Sequence, residues 1–274
     1  MRSQQKEMKM LIIGELINAS RKVIAMAIEN QDKTAIQKVA SDQFENGAYF
    51  IDVNAGVFVD KETAHLKWLV SSVQEEVDAP CCIDSPDPKA IEAALSVHKG
   101  TAMVNSISLE KDRCDALIQI IGGTDVKVVA LCMSDEGMPQ TVDDRMRIAD
   151  ELVNKLLQNN VSIDNIYVDP LVQPVSTKDD FGIEFLNAVE KIMTTFEGIH
   201  TICGLSNISY GLPERKFLNQ TFMIMAIAKG LDAAIVNPMD KQMMANITAA
   251  EALAGKDSYC MNYLKAYRAK KFEF

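Results

Sequence analysis

The chain has 274 residues, enough for one or two average domains or for a single α/β barrel of about 250 residues. Hydrophobic residues make up 48% and charged residues 24%, the balance of an ordinary folded protein rather than a disordered or fibrous one. Lys+Arg number 28 against Asp+Glu 38, a net charge of −10, which argues against nucleic acid as a partner and leaves room for a small ligand held by a few local donors.

Residues 1–9 are polar and read as an N-terminal tail without the apolar stretch of a signal peptide. No run of about 18 apolar residues follows, so no membrane span and a cytoplasmic location are expected. From residue 10 to 274 the sequence shows no linker, low-complexity segment or shift in composition, and it reads as one domain. Eight short apolar runs recur: Met10–Leu16, Tyr49–Val53, Cys81–Ile83, Ala102–Val104, Val126–Met133, Ile166–Val168, Thr201–Leu205 and Ala233–Val236. Helical patterns lie between them. Pro88–His98 repeats Ala90, Ile91, Ala94 and Leu95 behind Asp87 as N-cap, with Gly100 as the stop. Asp143–Gln158 repeats Met146, Ile148, Ala149, Leu152, Leu156 and Leu157. Gly47 and Gly230 stand where helix C-cap glycines precede a strand, and a helical segment from Ser258 to Lys271 closes the chain. Strands alternating with helices imply parallel βαβ units, and eight of them imply an α/β fold of the (β/α)8 TIM-barrel type. An open doubly wound sheet is the runner-up, weakened by the lack of a Gly-x-Gly-x-x-Gly or P-loop after the first strand.

The six cysteines, Cys81, Cys82, Cys114, Cys132, Cys203 and Cys260, form no Cys-x-x-Cys pair and mostly sit in apolar runs, so reduced, buried thiols are expected. His65, His98 and His200 are far apart and follow no zinc spacing, so no metal site is expected in the chain. The methionines Met223, Met225, Met239, Met243 and Met244 read as core or interface packing. The pairs Asp135-Glu136 and Asp143-Asp144 read as solvated caps.

Barrel enzymes work on the loops after the C-terminal ends of the strands. Here those ends carry Glu15 and Asn18, Asp52 and Asn54, Asp84, Asn105, Ser134, Asp169, then Gly204, Ser206 and Asn207, and finally Asn237. Any one of these is an ordinary cap or turn residue. Asp84, Asn105 and Asp169 together are less ordinary, because each directly ends an apolar run and so stands partly buried at the mouth. Buried carboxylates need partners, and no basic residue follows any of the three closely. A ligand rich in N–H donors is the simplest partner. Two carboxylates and an amide suit a flat heterocycle with an amino-amide edge, which a pterin has and guanine-like rings share.

Six strings then stand in order: Leu-Ile-Ile-Gly-Glu-Leu-Ile-Asn (11–18), Ile-Asp-Val-Asn-Ala-Gly (51–56), Cys-Ile-Asp-Ser (82–85), Val-Asn-Ser (104–106), Tyr-Val-Asp-Pro-Leu-Val (167–172) and Gly-Leu-Ser-Asn-Ile-Ser (204–209). Together they resemble the pterin-binding methyltransferases, and most closely the methyltetrahydrofolate:corrinoid protein methyltransferases, over about residues 10–265. The resemblance implies a homodimeric barrel that binds tetrahydrofolate or 5-methyltetrahydrofolate at its mouth. A methyl group moves between N5 of the folate and the cobalt of a corrinoid on a separate protein, in anaerobic one-carbon or demethylation metabolism. By the same likeness Asp84, Asn105 and Asp169 anchor the pterin, and Asn207 hydrogen-bonds near N5. Gly204 and Ser206 shape that loop, and Arg215 contacts the folate. For the proton at N5, the chemistry leaves Asp169 or an ordered water as candidate source. Glu15, Asn18, Asp52 and Asn54 match polar rim positions. Tyr210 departs from the acetyl-CoA-synthesis members, which carry an amide residue there, and is similar to the folate module of cobalamin-dependent methionine synthase, which carries an aromatic.

The nearest alternative is a dihydropteroate synthase-like pterin enzyme, but Val57-Phe58-Val59-Asp60 stands where that family carries Glu-Ser-Thr-Arg-Pro-Gly. A barrel aldolase would want a strand-end lysine, and none of the eight rim strings has one. A corrinoid carrier would need Asp-x-His-x-x-Gly, which the chain lacks, so the cobalt has to come with a partner.

Overall fold

The computed structural model describes residues 9–273. Of the expected tail, residues 1–8 lie outside it. Eight parallel strands follow in chain order: β1 (Leu11–Asn18), β2 (Phe50–Asn54), β3 (Cys81–Asp84), β4 (Met103–Leu109), β5 (Lys127–Ser134), β6 (Ile166–Asp169), β7 (His200–Thr201) and β8 (Ala233–Val236). Each pairs with its sequence neighbour, and β8 pairs back onto β1. Between β7 and β8 the seam is closed by a parallel bridge from Gly204 to Ile235, with Ile235 N donating to Cys203 O at 3.0 Å. The fold is a (β/α)8 barrel.

Helices α1 (Lys22–Glu29) and α2 (Lys33–Glu45) follow β1. One helix then follows each of the next strands: α3 (Glu62–Glu76), α4 (Pro88–Leu95), α5 (Lys111–Ile121), α6 (Val142–Gln158), α7 (Phe181–Thr195), α8 (Arg215–Ala228) and α9 (Lys241–Leu253), with α10 (Met261–Arg268) at the end. Their starts are written locally. Asp87 accepts from Lys89 N with Pro88 in the first turn of α4. Thr141 and Asp144 form a reciprocal capping box at α6. Gly47 and Gly230 take φ of +101° and +116° behind α2 and α8, a backbone that a side chain would strain.

Side chains of a strand alternate between the helices and the barrel interior. The outward set packs against the helices in the large cluster around Ile51, Val53, Ile83, Val104, Val128 and Val168. The inward set forms an apolar floor of Ile13, Phe50, Cys82, Met103, Val129, Tyr167, Ile202 and Ala233. Five cysteines are buried, as expected, and Cys260 is exposed because it caps α10 beyond the barrel. Met223 and Met243 are core residues, whereas Met225 and Met239 are exposed.

Three strand ends differ from the sequence reading. β4 runs to Leu109, so Asn105 stands within the strand, at a bulge where the two residues from Asn105 to Ile107 face one step of β5. β7 shrinks to His200–Thr201, because Leu205–Ser209 winds into a 3-10 turn after Gly204. β1 extends to Asn18 through a bulge between Gly14 and Ile17. That bulge frees Leu16 N, which buried Gln43 satisfies with Oε1 at 2.9 Å. Gly14 leaves the room for it, since a Cβ there would lie 2.5 Å from the same oxygen.

Candidate active site

Two residues beyond each floor position, the same alternation aims the next side chain into the barrel on the C-terminal side. On five of the eight strands that residue is polar: Ile13 gives way to Glu15, Phe50 to Asp52, Cys82 to Asp84, Met103 to Asn105, and Tyr167 to Asp169. On β5 and β8 it is Leu131 and Ile235, and after Ile202 it is Gly204, which leaves that side of the mouth without a side chain. The register sets Asn54 beside Asp84 and Asp84 beside Asn105. An apolar floor beneath a ring of carboxylates and amides is therefore built by strand periodicity alone.

Asn54 orients Asp84: its Nδ2 donates to Asp84 Oδ2 at 2.9 Å while its Oδ1 accepts from Gly56 N at 3.0 Å. Asp52 is buried, and its Oδ1 has no partner among the described residues. Burial, and then the charges of Asp84 and Glu15, hold its carboxyl well above the usual carboxylate range, with Cys82 and Asn105 opposing them. Burial likewise raises Asp84 against the pull of Asn54 and Arg113. Asp169 is buried and accepts from Leu171 N at 2.8 Å. Burial pushes it up to about 7, against the lowering effect of the Leu171 and Gly204 amides and of Arg145. Such a group gives or takes a proton near neutral pH.

No basic residue follows these acids closely in sequence, but the fold brings two near them. Arg113 lies near Asp84 and Arg145 near Asp169, brought there from α5 and α6 across the fold. Their hydrogen bonds go elsewhere. Arg113 donates to the carbonyls of Ser85 and Pro86, both at 3.0 Å, and Arg145 Nε to Pro170 O at 2.8 Å. The carboxylates stay open to a ligand.

Asn207 sits in the 3-10 turn after β7, exposed at the mouth. Arg215 was expected at the folate. In the structure its Nη2 donates to Ser206 O at 2.6 Å and its Nε to Ser209 Oγ at 2.9 Å, so it braces the turn that presents Asn207. Tyr210 is exposed beside it, with the Arg215 guanidinium 6.0 Å above its ring. Its carbonyl accepts from Ser176 Oγ at 2.7 Å, tying the loops after β6 and β7 together. Asn18 does local work: its Oδ1 accepts from Ser20 N at 2.9 Å. Glu15 pairs with Arg21 at 3.2 Å on the rim. It also lines a cavity of about 170 Å³ with Ser206, Lys216, Asn219 and Asn237. Reading the sequence missed Arg113, Arg145 and the bracing role of Arg215. Each lies in a helix: the closed barrel brings Arg113 and Arg145 to loops they do not adjoin, whereas Arg215 folds back onto the loop that leads into its own helix.

The raised Asp169 makes a prediction about stability. Its folded value of about 7 exceeds the ordinary 3.8, so the folded protein holds the proton more tightly than the unfolded chain. The stability this contributes is full below about pH 4 and is lost as pH rises through 7. Asp169→Asn removes the titration. Thermal melts across this range should show the variant less pH-dependent and, at pH 8, more stable than the parent by up to about 4 kcal/mol. A variant that melts lower at pH 8 with an unchanged pH slope contradicts this.

Comparison with known proteins agrees with the geometry. The sequence matches the Pterin binding enzyme family over residues 14–237. It is 38% identical over 264 residues to a methylcorrinoid:tetrahydrofolate methyltransferase of Eubacterium limosum, covering 96% of this chain and 97% of that one. It is 28% identical over 240 residues to the methionine synthase of Mycobacterium leprae (strain TN), covering 83% of this chain but 20% of that protein. Among solved structures, a dihydropteroate synthase from Coxiella burnetii in complex with pteroic acid superposes with a TM-score of 0.71, covering 90% of this chain and 93% of that one. At 16% identity that likeness concerns the fold alone. With a family match that runs from β1 to the end of β8, the chain belongs to the pterin-binding enzymes.

Proposed function

We infer that the protein is a methyltransferase that moves a methyl group between the cobalt of a corrinoid protein and N5 of tetrahydrofolate. The observation that carries this reading is the end-to-end match, at 38% identity, to a methylcorrinoid:tetrahydrofolate methyltransferase. Tetrahydrofolate is substrate here, and the corrinoid arrives on the partner.

The chemistry asks little of the protein in covalent terms. From 5-methyltetrahydrofolate, the cobalt(I) electron pair attacks the methyl carbon, the C–N5 bond breaks, and its electron pair stays on N5, which takes up a proton. In the other direction the N5 pair attacks the methyl of methylcobalt(III), the C–Co pair returns to cobalt as cobalt(I), and the N5 proton leaves. What the chain must supply is recognition of the pterin, a hydrogen-bond donor at N5 and a route for one proton.

Asp84, Asn105 and Asp169 are assigned to the donor and acceptor edge of the pterin, over the apolar floor, with Asn54 holding Asp84 in place. Asp52 and Glu15 complete the acidic side of the ring. Asn207, exposed and presented by the turn that Arg215 braces, is assigned to N5. An amide donates there without titrating. Asp169, poised at about 7, is assigned to the proton. Gly204 and Ser206 shape the turn, and Asn18 holds the rim after β1. Residues 10–274 act as one domain, as a homodimer. Exposed Phe217, Met225 and Met239 support that pairing.

The test is product identity. With methylcobalamin and tetrahydrofolate the protein should yield 5-methyltetrahydrofolate by mass spectrometry. With a hydroxymethyl-dihydropterin diphosphate and p-aminobenzoate it should yield no dihydropteroate. The opposite pair of results would assign it to the synthase branch of the fold.

A further inference from the structure

We propose that Arg145 is a positioning residue, which holds Asp169 and the Pro170–Leu171 turn in the geometry that binds the pterin. The proposal rests on the reading of the barrel mouth as a folate site.

Arg145 belongs to α6, yet its side chain leaves that helix and points into the protein. It is fully buried, the largest side chain among the described residues of which that is true. A buried guanidinium is expected to pair with a carboxylate. None forms an ion pair with it among the described residues. Instead its three nitrogens each donate to a main-chain oxygen: Nε to Pro170 O at 2.8 Å, Nη1 to Thr141 O at 3.1 Å and Nη2 to Leu171 O at 3.5 Å. An apolar side chain could fill the same volume, as Ile148 and Leu152 do further along α6, but it could not satisfy these carbonyls.

The turn it holds needs holding. Leu171 has φ +65°, a left-handed conformation that a side chain disfavours. Its N–H points back to Asp169 Oδ1 at 2.8 Å, so the position of the turn and the orientation of the carboxyl are one arrangement. A second tie joins the same loops: buried Gln173 donates from Nε2 to Pro139 O at 2.6 Å. Arg145 is thereby fastened to the strand end that carries Asp169, and its charge favours the ionised form of that carboxyl. The other ionisable groups that face the guanidinium are the Cys132 thiol from β5, Glu184 from α7 and Asp144 from α6 itself. Glu184 and Asp144 are engaged by main-chain amides, those of Val142 for the first and of Gln140 and Thr141 for the second.

The test uses Arg145→Lys, which keeps the charge and loses the fork, Arg145→Gln, which loses the charge, and Gln173→Asn, which shortens the second tie. Tetrahydrofolate affinity, the pH profile of methyl transfer and the thermal melt are measured on each. The folded Arg145 variants should bind tetrahydrofolate at least tenfold more weakly. In Arg145→Gln the pH midpoint assigned to Asp169 should also move upward, which a loss of packing would not cause. Gln173→Asn, the mildest change, should weaken binding in the same direction by a smaller factor. Folded variants with parental affinity and an unmoved midpoint overturn the proposal. If the Arg145 variants do not fold, parental affinity in Gln173→Asn overturns it alone. A parent protein that does not bind tetrahydrofolate overturns the functional reading instead, and the proposal with it.

Discussion

Asn207→Ala should slow methyl transfer by roughly 100-fold, the usual effect of removing one hydrogen bond that strengthens in the transition state. Tetrahydrofolate affinity should change only severalfold. The split follows from what N5 does in the reaction. In bound 5-methyltetrahydrofolate N5 is a tertiary amine and a modest acceptor. As the methyl leaves, the nitrogen gains an electron pair, and a donor held against it gains most at that moment. Asn207 is free to be that donor, because it stands exposed at the mouth and is presented by a turn whose carbonyl at Ser206 and hydroxyl at Ser209 are held by Arg215. Steady-state rates and equilibrium titrations of the same preparations check it. A loss confined to affinity, with kcat intact, would return Asn207 to ground-state binding.

Asp84→Ala should produce the converse. Asn54 already occupies Asp84 Oδ2, and no protein donor among the described residues reaches Oδ1, which leaves this carboxylate to take ligand N–H groups. Two charge-assisted bonds to a pterin are worth about 3 kcal/mol after exchange with water, so affinity for tetrahydrofolate should fall roughly 100-fold. The folded state should not suffer. Asp84 is itself held above its ordinary range by burial, and its charge is one of the groups that push Asp52 upward, so its removal relieves a repulsion. A titration and a thermal melt settle both halves. Parental affinity would reject the anchoring role, and a large drop in melting temperature would mean that the binding loss came from unfolding.

Much of this site was legible in the sequence because of one periodicity. Asp84 and Asp169 stand two residues beyond Cys82 and Tyr167, and a strand that buries the first must aim the second into the same interior. The cap at Asp87 and the helix at α6 were legible for the same reason, since their causes lie within four residues of the effect. Strand ends were less so. The bulge that keeps Asn105 inside β4, and the turn that ends β7 at Thr201, depend on pairing with β5 and β8 rather than on local pattern. Least legible were the arginines. Arg145 lies 25 residues before the carbonyl it holds at Pro170, and Arg113 lies 28 after Ser85. Their partners are main-chain oxygens, which no side-chain motif records. For Arg215 the resemblance supplied an importance, and the hydrogen bonds to Ser206 and Ser209 supplied a role.

The proposed reaction at this barrel mouth is transfer of a methyl group between folate nitrogen and corrinoid cobalt. Mixing the protein with 5-methyltetrahydrofolate and free cob(I)alamin, without any partner protein, tests it most directly. Decay of the cobalt(I) absorbance should be matched by growth of methylcobalt(III), in proportion to enzyme, and should be slowed in Asn207→Ala. A well-folded protein that binds tetrahydrofolate yet transfers no methyl group in this mixture, nor from methylcobalamin to tetrahydrofolate, contradicts the account.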